Sequence, residues 1–289
     1  MKAIDRKLLR DLALMKGQVI TIALVVACGI ASFVAIEGTH ASLLLARDTY
    51  YERQRFADVF AHLESAPDAL TGRLESIPCV AFVQTRILES VRFPRGSGGE
   101  PATGYVISLP THGEPRLGGI MLRSGRMLEP GRSDEVIVLE SFAKAHGLRV
   151  GERLPVVLAG RARELRIVGI ALSPEYVFAI APGEMMPDPK RFGVLWMDHE
   201  VVSAAFGMEG AWNDLLVRLQ PGASSRAVIE AVNRELSLHG GLGAYERDRQ
   251  LSHNMLRGEI AQLEMLTQMM PTIFLGSAAL TSRMVMALA

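Results

Sequence analysis

Apolar positions follow three regimes along this chain. From Gly17 to Ile36 they run together as "GQVITIALVVACGIASFVAI", twenty residues without a charge. As a helix this run is roughly 30 Å long, the thickness of a bilayer core. Its β-branched residues, Val19, Ile20, Ile22, Val25 and Val26, disfavour a helix in water, but in lipid the need to satisfy the backbone internally outweighs that preference. Lys2, Arg6, Lys7, Arg10 and Lys16 precede the run, against Asp5 and Asp11. That bias puts the N-terminus in the cytoplasm and the following segment outside. A cleaved signal peptide shares the positive start, and Thr39-His40-Ala41 loosely resembles a cleavage site. The run exceeds the usual ~7–15 residues of a signal core, which favours an uncleaved span over residues 17–36.

In the second regime, residues 37–264, apolar positions alternate with polar ones. Helical character continues through Leu44, Leu45 and Arg47 to Gln54, predicting a stalk over 37–57 with Tyr50 and Tyr51 set among arginines. "DALTGRLESIP" places Leu70, Leu74 and Ile77 on one helical face and stops at Pro78. "VAFVQTRILESVRF" reads as a strand pair or one bent strand, "GSGG" (Gly96–Gly99) as a loop, and "EPATGYVISLP" as a strand. Glu135–Leu139 predicts a strand and Ser141–His146 a helix stopped by Gly147, with a turn at Gly151. "RELRIVGIAL", Tyr176–Ile180, "FGVLWMDHE" and "NDLLVRLQPG" read as further strands. "SSRAVIEAVNREL" predicts an amphipathic helix capped by Ser224, and Glu246–Gln268 a helix leading out. The order of elements predicts an α+β domain over 58–245, in one or two lobes, with a returning stalk over 246–264.

The third regime closes the chain. Met265 to Ser282 is uncharged over eighteen residues, barely long enough to span, and carries Gln268, Pro271 and Thr272. Arg283 then interrupts the apolar pattern. Residues 265–289 read as an incomplete second membrane helix, either truncated or frame-shifted, or as the end of a short protein.

Composition narrows the function. Lys plus Arg equals Asp plus Glu at 31 each, so no global field draws nucleic acid or acidic substrates. The hydrophobic fraction is 49% and the mean hydropathy +0.20, weighted to the two ends. Cys28 lies inside the first apolar run and Cys79 follows Pro78, so no intrachain disulfide is expected. No G-x-x-x-x-G-K-[ST] loop is present, and Ser97 in "RGSGGE" is not in a nucleophile elbow. The seven histidines show no H-x-x-x-H pair, and no metal or other cofactor is expected. Asp198-His199-Glu200 reads as a strand end capped by a helix start, and Arg161, Arg163 and Arg166 as a solvated face. Nothing in the pattern reads as catalysis.

The best interaction candidate is the leader, residues 1–16. Ile4, Leu8, Leu12 and Met15 form one helical stripe, with Arg6, Lys7 and Arg10 elsewhere. Arg6, Lys7, Leu8, Arg10 and Lys16 are the candidate contacts to lipid headgroups or a cytoplasmic partner.

Taken together, several stretches resemble the FtsX/MacB-type ABC transporter permeases. These are "DRKLLRDL" (Asp5–Leu12), the first span, "YYERQRFADVFA" (Tyr50–Ala61) and "MLTQMMPTIFLG" (Met265–Gly276). Leu122–Val156, with its GR turn, DEV strand, short helix and GLxVG turn, and Leu165–Phe178 complete the resemblance. It implies an inner-membrane permease with a cytoplasmic N-terminus and a periplasmic domain, partnered by a separate ABC ATPase whose motion it relays. It also implies a further permease subunit, or the missing helices, as a partner alongside membrane lipid. Relatives continue with more membrane helices and a docking loop, where this chain stops. The alternative reading is a single-pass anchored sensor or ligand-binding module outside the cytoplasm.

Overall fold

The computed structural model describes residues 16–94 and 101–288. Arg6, Lys7, Leu8 and Arg10 of the leader and the Gly96–Gly99 loop with Ser97 lie outside the described residues. Two compact units result: one within Met1–Asp48 and Arg257–Ala289, the other Thr49–Leu256.

The described residues open with α1 (Lys16–Arg53), followed by β1 (Val59–Pro67), a 3-10 turn and α2 (Thr71–Glu75). Next come β2 (Val80–Arg86), β3 (Leu88–Phe93), β4 (Ala102–Leu109), β5 (Met121–Gly125), β6 (Glu135–Leu139) and α3 (Glu140–His146). Then follow β7 (Arg153–Leu158), β8 (Arg161–Leu172), a 3-10 turn at Pro174–Tyr176, β9 (Phe192–Asp198) and α4 (His199–Phe206). β10 (Ala211–Leu219), α5 (Ser225–Leu236), β11 (Tyr245–Glu246) and α6 (Leu251–Leu288) complete it. The α+β class read from the sequence is the class found.

The 49–256 unit has two lobes, each with its own core. The small lobe is an antiparallel sheet in the order β11-β1-β10-β2. Val228, Val232 and Leu236 of α5 and Leu74 of α2 bury against Trp212, Leu215 and Val217. These α5 residues recur every four positions, which places them on one face. Ser224 takes the N-cap backbone conformation, but its side chain makes no capping bond.

The large lobe is a seven-stranded sheet in the order β5-β8-β6-β9-β4-β3-β7. β7 also pairs with β8, and Arg92 of β3 stands opposite Val157, so the sheet curls back on itself. β6 is buried along its whole length. Each of its Val, Ile and Leu side chains contributes about 1.5–3 kcal/mol by leaving water. α3 ends where predicted, at Gly147 with φ 66°.

Of the two readings of "VAFVQTRILESVRF", the bent strand is the nearer: β2 and β3 follow each other across Ile87, where the chain passes from the small sheet to the large one. Two other expectations change. Tyr176–Ile180 is not a strand, because Pro174 and the Ser173 cap, whose Oγ accepts from Glu175 N, set a 3-10 turn instead. Glu246 does not open a helix: Tyr245 and Glu246 pair with Phe60 and Val59, and α6 begins only at Leu251.

In the other unit, one helix among the described residues, over Ile20–Arg53, is long and apolar enough to cross a membrane. The Thr21 and Thr39 hydroxyls donate to the carbonyls of Gly17 and Ala35, so these two polar groups are satisfied within the helix. α6 runs through Pro271 without a break. Gly29 permits a close approach of the two helices: a Cβ there would lie 2.7 Å from the Phe274 Cβ. Beside this contact, Val26, Ile30, Phe33 and Pro271 line an apolar cavity of about 240 Å³.

Candidate functional site

The charged residues of interest converge where the two lobes meet. Arg86 ends β2, Asp214 sits mid-strand in β10, and Glu175 lies in the turn after β8. All three are buried, at 5%, 0% and 4% exposure, which charged groups tolerate only when paired. The Arg86 guanidinium donates to both Glu175 oxygens, at 2.8 and 2.5 Å, and its Nε donates to Asp214 Oδ2. One cation of the small lobe is thereby shared between a carboxylate of its own sheet and one from the large lobe.

His62, on β1 opposite Asp214 in the sheet register, pairs through Nδ1 with Asp214 Oδ1. Its Nε2 lies 3.3 Å from the Tyr245 hydroxyl. The returning segment joins as well: Gln250 Nε2 donates to the Glu175 carbonyl at 2.7 Å, and Gln250 Oε1 accepts from His253 N at the start of α6. Ser252 Oγ accepts from Phe178 N.

Gly118 is fitted to this cluster. Its φ is +67°, and a Cβ would fall 2.7 Å from Leu216 Cδ1 and 3.0 Å from both Arg86 Nη1 and Glu175 Oε1.

The electrostatics follow from this crowding. Burial pushes the Asp214 carboxyl up, but Arg86 and then His62 outweigh it and hold the group at about 2. For Arg86, burial works against the charge, yet Asp214 and Glu175 raise its pKa further. Asp214 raises the His62 imidazole, with burial opposing. Burial first, and then the charge of Asp214, raises the phenols of Tyr105 and Tyr245.

Above the cluster opens a cleft of about 440 Å³ between the lobes. His62, Leu242 and Tyr245 line it from the small lobe, and Tyr105, Tyr176 and Glu184 from the large one. Leu242, which lines it, and Leu238 nearby in sequence are 80% and 90% exposed. Met185 and Met186, in the large-lobe loop after Glu184, are similarly exposed.

Of the residues singled out in the sequence, Lys16 is the first residue of α1 and is exposed. Its four companions in the leader, Arg6, Lys7, Leu8 and Arg10, lie outside the described residues. Asp198-His199-Glu200 does what the strand-end reading expected: Asp198 caps α4 by accepting from Glu200 N, and His199 Nδ1 meets Ser108 Oγ. Among the described residues no three His, Cys, Asp or Glu side chains are grouped to hold a metal. Arg166 is not merely solvated, because it joins Arg126 on the buried Glu135. The junction cluster went unread. Its one local signal was Asn213-Asp214, a polar pair that puts one polar side chain on each face of a buried strand.

The family model for the MacB-like periplasmic core domain matches residues 19–235. Among solved structures, the periplasmic region of MacB from Actinobacillus actinomycetemcomitans aligns with a TM-score of 0.40 and 12% identity, over 73% of this chain and 95% of that one. The extracellular domain of the noncanonic ABC-type transporter YknZ from Gram-positive bacteria aligns with a TM-score of 0.39 and 10% identity, over 66% and 98%. No curated protein matches the chain.

Proposed function

The chain belongs to the MacB-like periplasmic core domain family, and from that premise we propose that it serves as a permease subunit of an ABC transporter. In this reading it has no catalysis of its own. A separate cytoplasmic ATPase supplies the work, the membrane helices carry the motion, and the extracytoplasmic lobes use it. α1 crosses the inner membrane with its N-terminus in the cytoplasm, where Arg6, Lys7, Leu8, Arg10 and Lys16 meet lipid headgroups or the ATPase. Residues 265–289 supply the second membrane helix, and further helices or a further permease subunit complete the assembly.

The observation that supports this reading lies within the 49–256 unit, where the last residues of α1 and the first of α6 are tied together. The Tyr51 hydroxyl near the end of α1 lies 3.1 Å from His253 Nδ1 at the start of α6. Arg247 stacks over Tyr51 and Phe56 and donates to the carbonyls of Phe56 and Ala57. Gln250 then joins this helix pair to the Arg86–Glu175 junction. Displacing either helix end would load the contact that holds the lobes together, as a shear or hinge transition requires.

The test is affinity capture of the tagged full chain from native membranes in mild detergent. An ABC ATPase should be recovered with it, and replacing Arg6, Lys7 and Arg10 with glutamate should release that ATPase. Absence of any ATPase from the wild-type capture would overturn the reading. The cleft between the lobes favours one second reading, an anchored sensor or ligand-binding module. A ligand that raises the melting temperature saturably, in a chain without an ATPase partner, would support it.

A further inference from the structure

The junction cluster is unbalanced without His62. Asp214 and Glu175 bring two buried negative charges, and Arg86 brings one positive charge. The remaining partner of Asp214 is the His62 imidazole, whose side chain is 38% exposed while those of the other three are exposed by 6% or less. Water and protons therefore reach this member of the cluster from the cleft.

We propose that His62 is a proton-operated latch between the two lobes. With the imidazolium formed, His62 and Arg86 together balance Asp214 and Glu175, and the lobes stay closed on the cluster. When the proton leaves, a buried negative charge is uncompensated and the junction loosens. Such a charge is costly in a dry interior, and exposing Glu175 to water by parting the lobes relieves it.

The geometry accommodates both states of the ring. In either state Nδ1 stays against Asp214 Oδ1. The Tyr245 hydroxyl, stacked in place on Phe60, can donate to the neutral Nε2 or accept from the protonated one. The groups acting on His62 come from every element packed around it. They are Asp214 on β10, Arg86 on β2, Glu175 in the turn after β8, Tyr245 on β11, and Glu184 across the cleft. On its own strand Glu64 is exposed and turned toward Gly240. The raised basicity of His62 gives the direction of the effect: the latch is fully engaged below about 6.5 and releases as the pH rises through the folded-state value.

The latch rests on reading the lobes as the parts that move, but it needs no ATPase. Its test is therefore run on the full chain alone in lipid nanodiscs and leaves the capture experiment independent. Spin labels at Met185→Cys and Leu238→Cys, with Cys28 and Cys79 replaced by serine, report the distance across the cleft by double electron–electron resonance. The expected result is a narrow distribution at pH 6 and a broader, longer one at pH 9, with a midpoint above about 6.5. His62→Gln should give the pH 9 distribution at both values, and His62→Lys the pH 6 distribution at both. A wild-type distribution that ignores pH would overturn the latch. So would a transition that persists unchanged in His62→Gln. If the variants do not fold, the wild-type titration decides alone, because no midpoint above 6.5 means no latch.

Discussion

Two clusters in the extracytoplasmic lobes use the same chemistry in opposite proportions. At the junction, one buried guanidinium serves two buried carboxylates that belong to different lobes. In the large lobe, one buried carboxylate, Glu135, is served by two half-exposed guanidiniums, Arg126 and Arg166. Glu135 heads β6, Arg126 directly follows β5 and Arg166 lies on β8, so that cluster pins three neighbouring strands within one sheet. If Glu135 loses its charge, its partners turn to water at little cost. If Arg86 is lost, the buried Glu175 keeps no cation and Asp214 keeps only His62. The first arrangement fastens a fold, while the second makes the joint between lobes depend on one side chain.

The largest effect should come from Arg86→Met. Leaving Glu175 with no cation and Asp214 with only His62 is expected to cost about 3–5 kcal/mol, read from chemical denaturation of the full chain. Gly118→Ala comes next, at about 1–3 kcal/mol, since it forces an L residue into a left-handed conformation and presses a methyl on Leu216 and the ion pair. Glu135→Gln should cost about 1–2 kcal/mol, because the amide keeps part of the hydrogen bonding and the arginines regain solvent. Arg153→Ala, which removes an exposed pair with Glu164, should fall within about 0.5 kcal/mol of the parent.

Acid sharpens the same comparison. Both Asp214 and Glu135 are held at about 2, Glu135 chiefly by hydrogen bonds from Arg126. Their contribution is therefore complete above about 4.5 and is lost as the pH falls toward 2. Glu135→Gln should flatten part of that acid limb and leave the alkaline loosening at His62 untouched. His62→Gln should abolish the alkaline loosening and also move the Asp214 part of the acid limb to higher pH, because His62 helps hold that carboxyl low. Melting temperatures across pH 2–9 would check both.

The parts of this molecule that were legible in its sequence are those encoded locally. The strand over Glu135–Leu139, the Gly147 stop and the strand-to-helix passage at Asp198-His199-Glu200 each depend on residues a few positions apart, and each is found as read. The Tyr176–Ile180 strand failed because an apolar stretch carries no mark of the Ser173–Pro174 turn that claims its start. The bend between β2 and β3 could be read, but not that it joins two lobes: Ile87 is an ordinary apolar residue, and only the assembled sheets show that the chain changes lobe there. The junction is the extreme case. Arg86 and Asp214 are 128 positions apart, and Arg86 and Glu175 are 89 apart. A charged residue in an apolar strand announces that a partner exists, but not which one.

The central claim is that Arg86, and not the general packing of the lobes, holds the joint. The Met185–Leu238 distance tests it when measured at pH 6 in the parent, Arg86→Met and Glu135→Gln. Widening in Arg86→Met, with Glu135→Gln matching the parent, is the predicted result. Equal distances in all three, or equal widening in both variants, would contradict it.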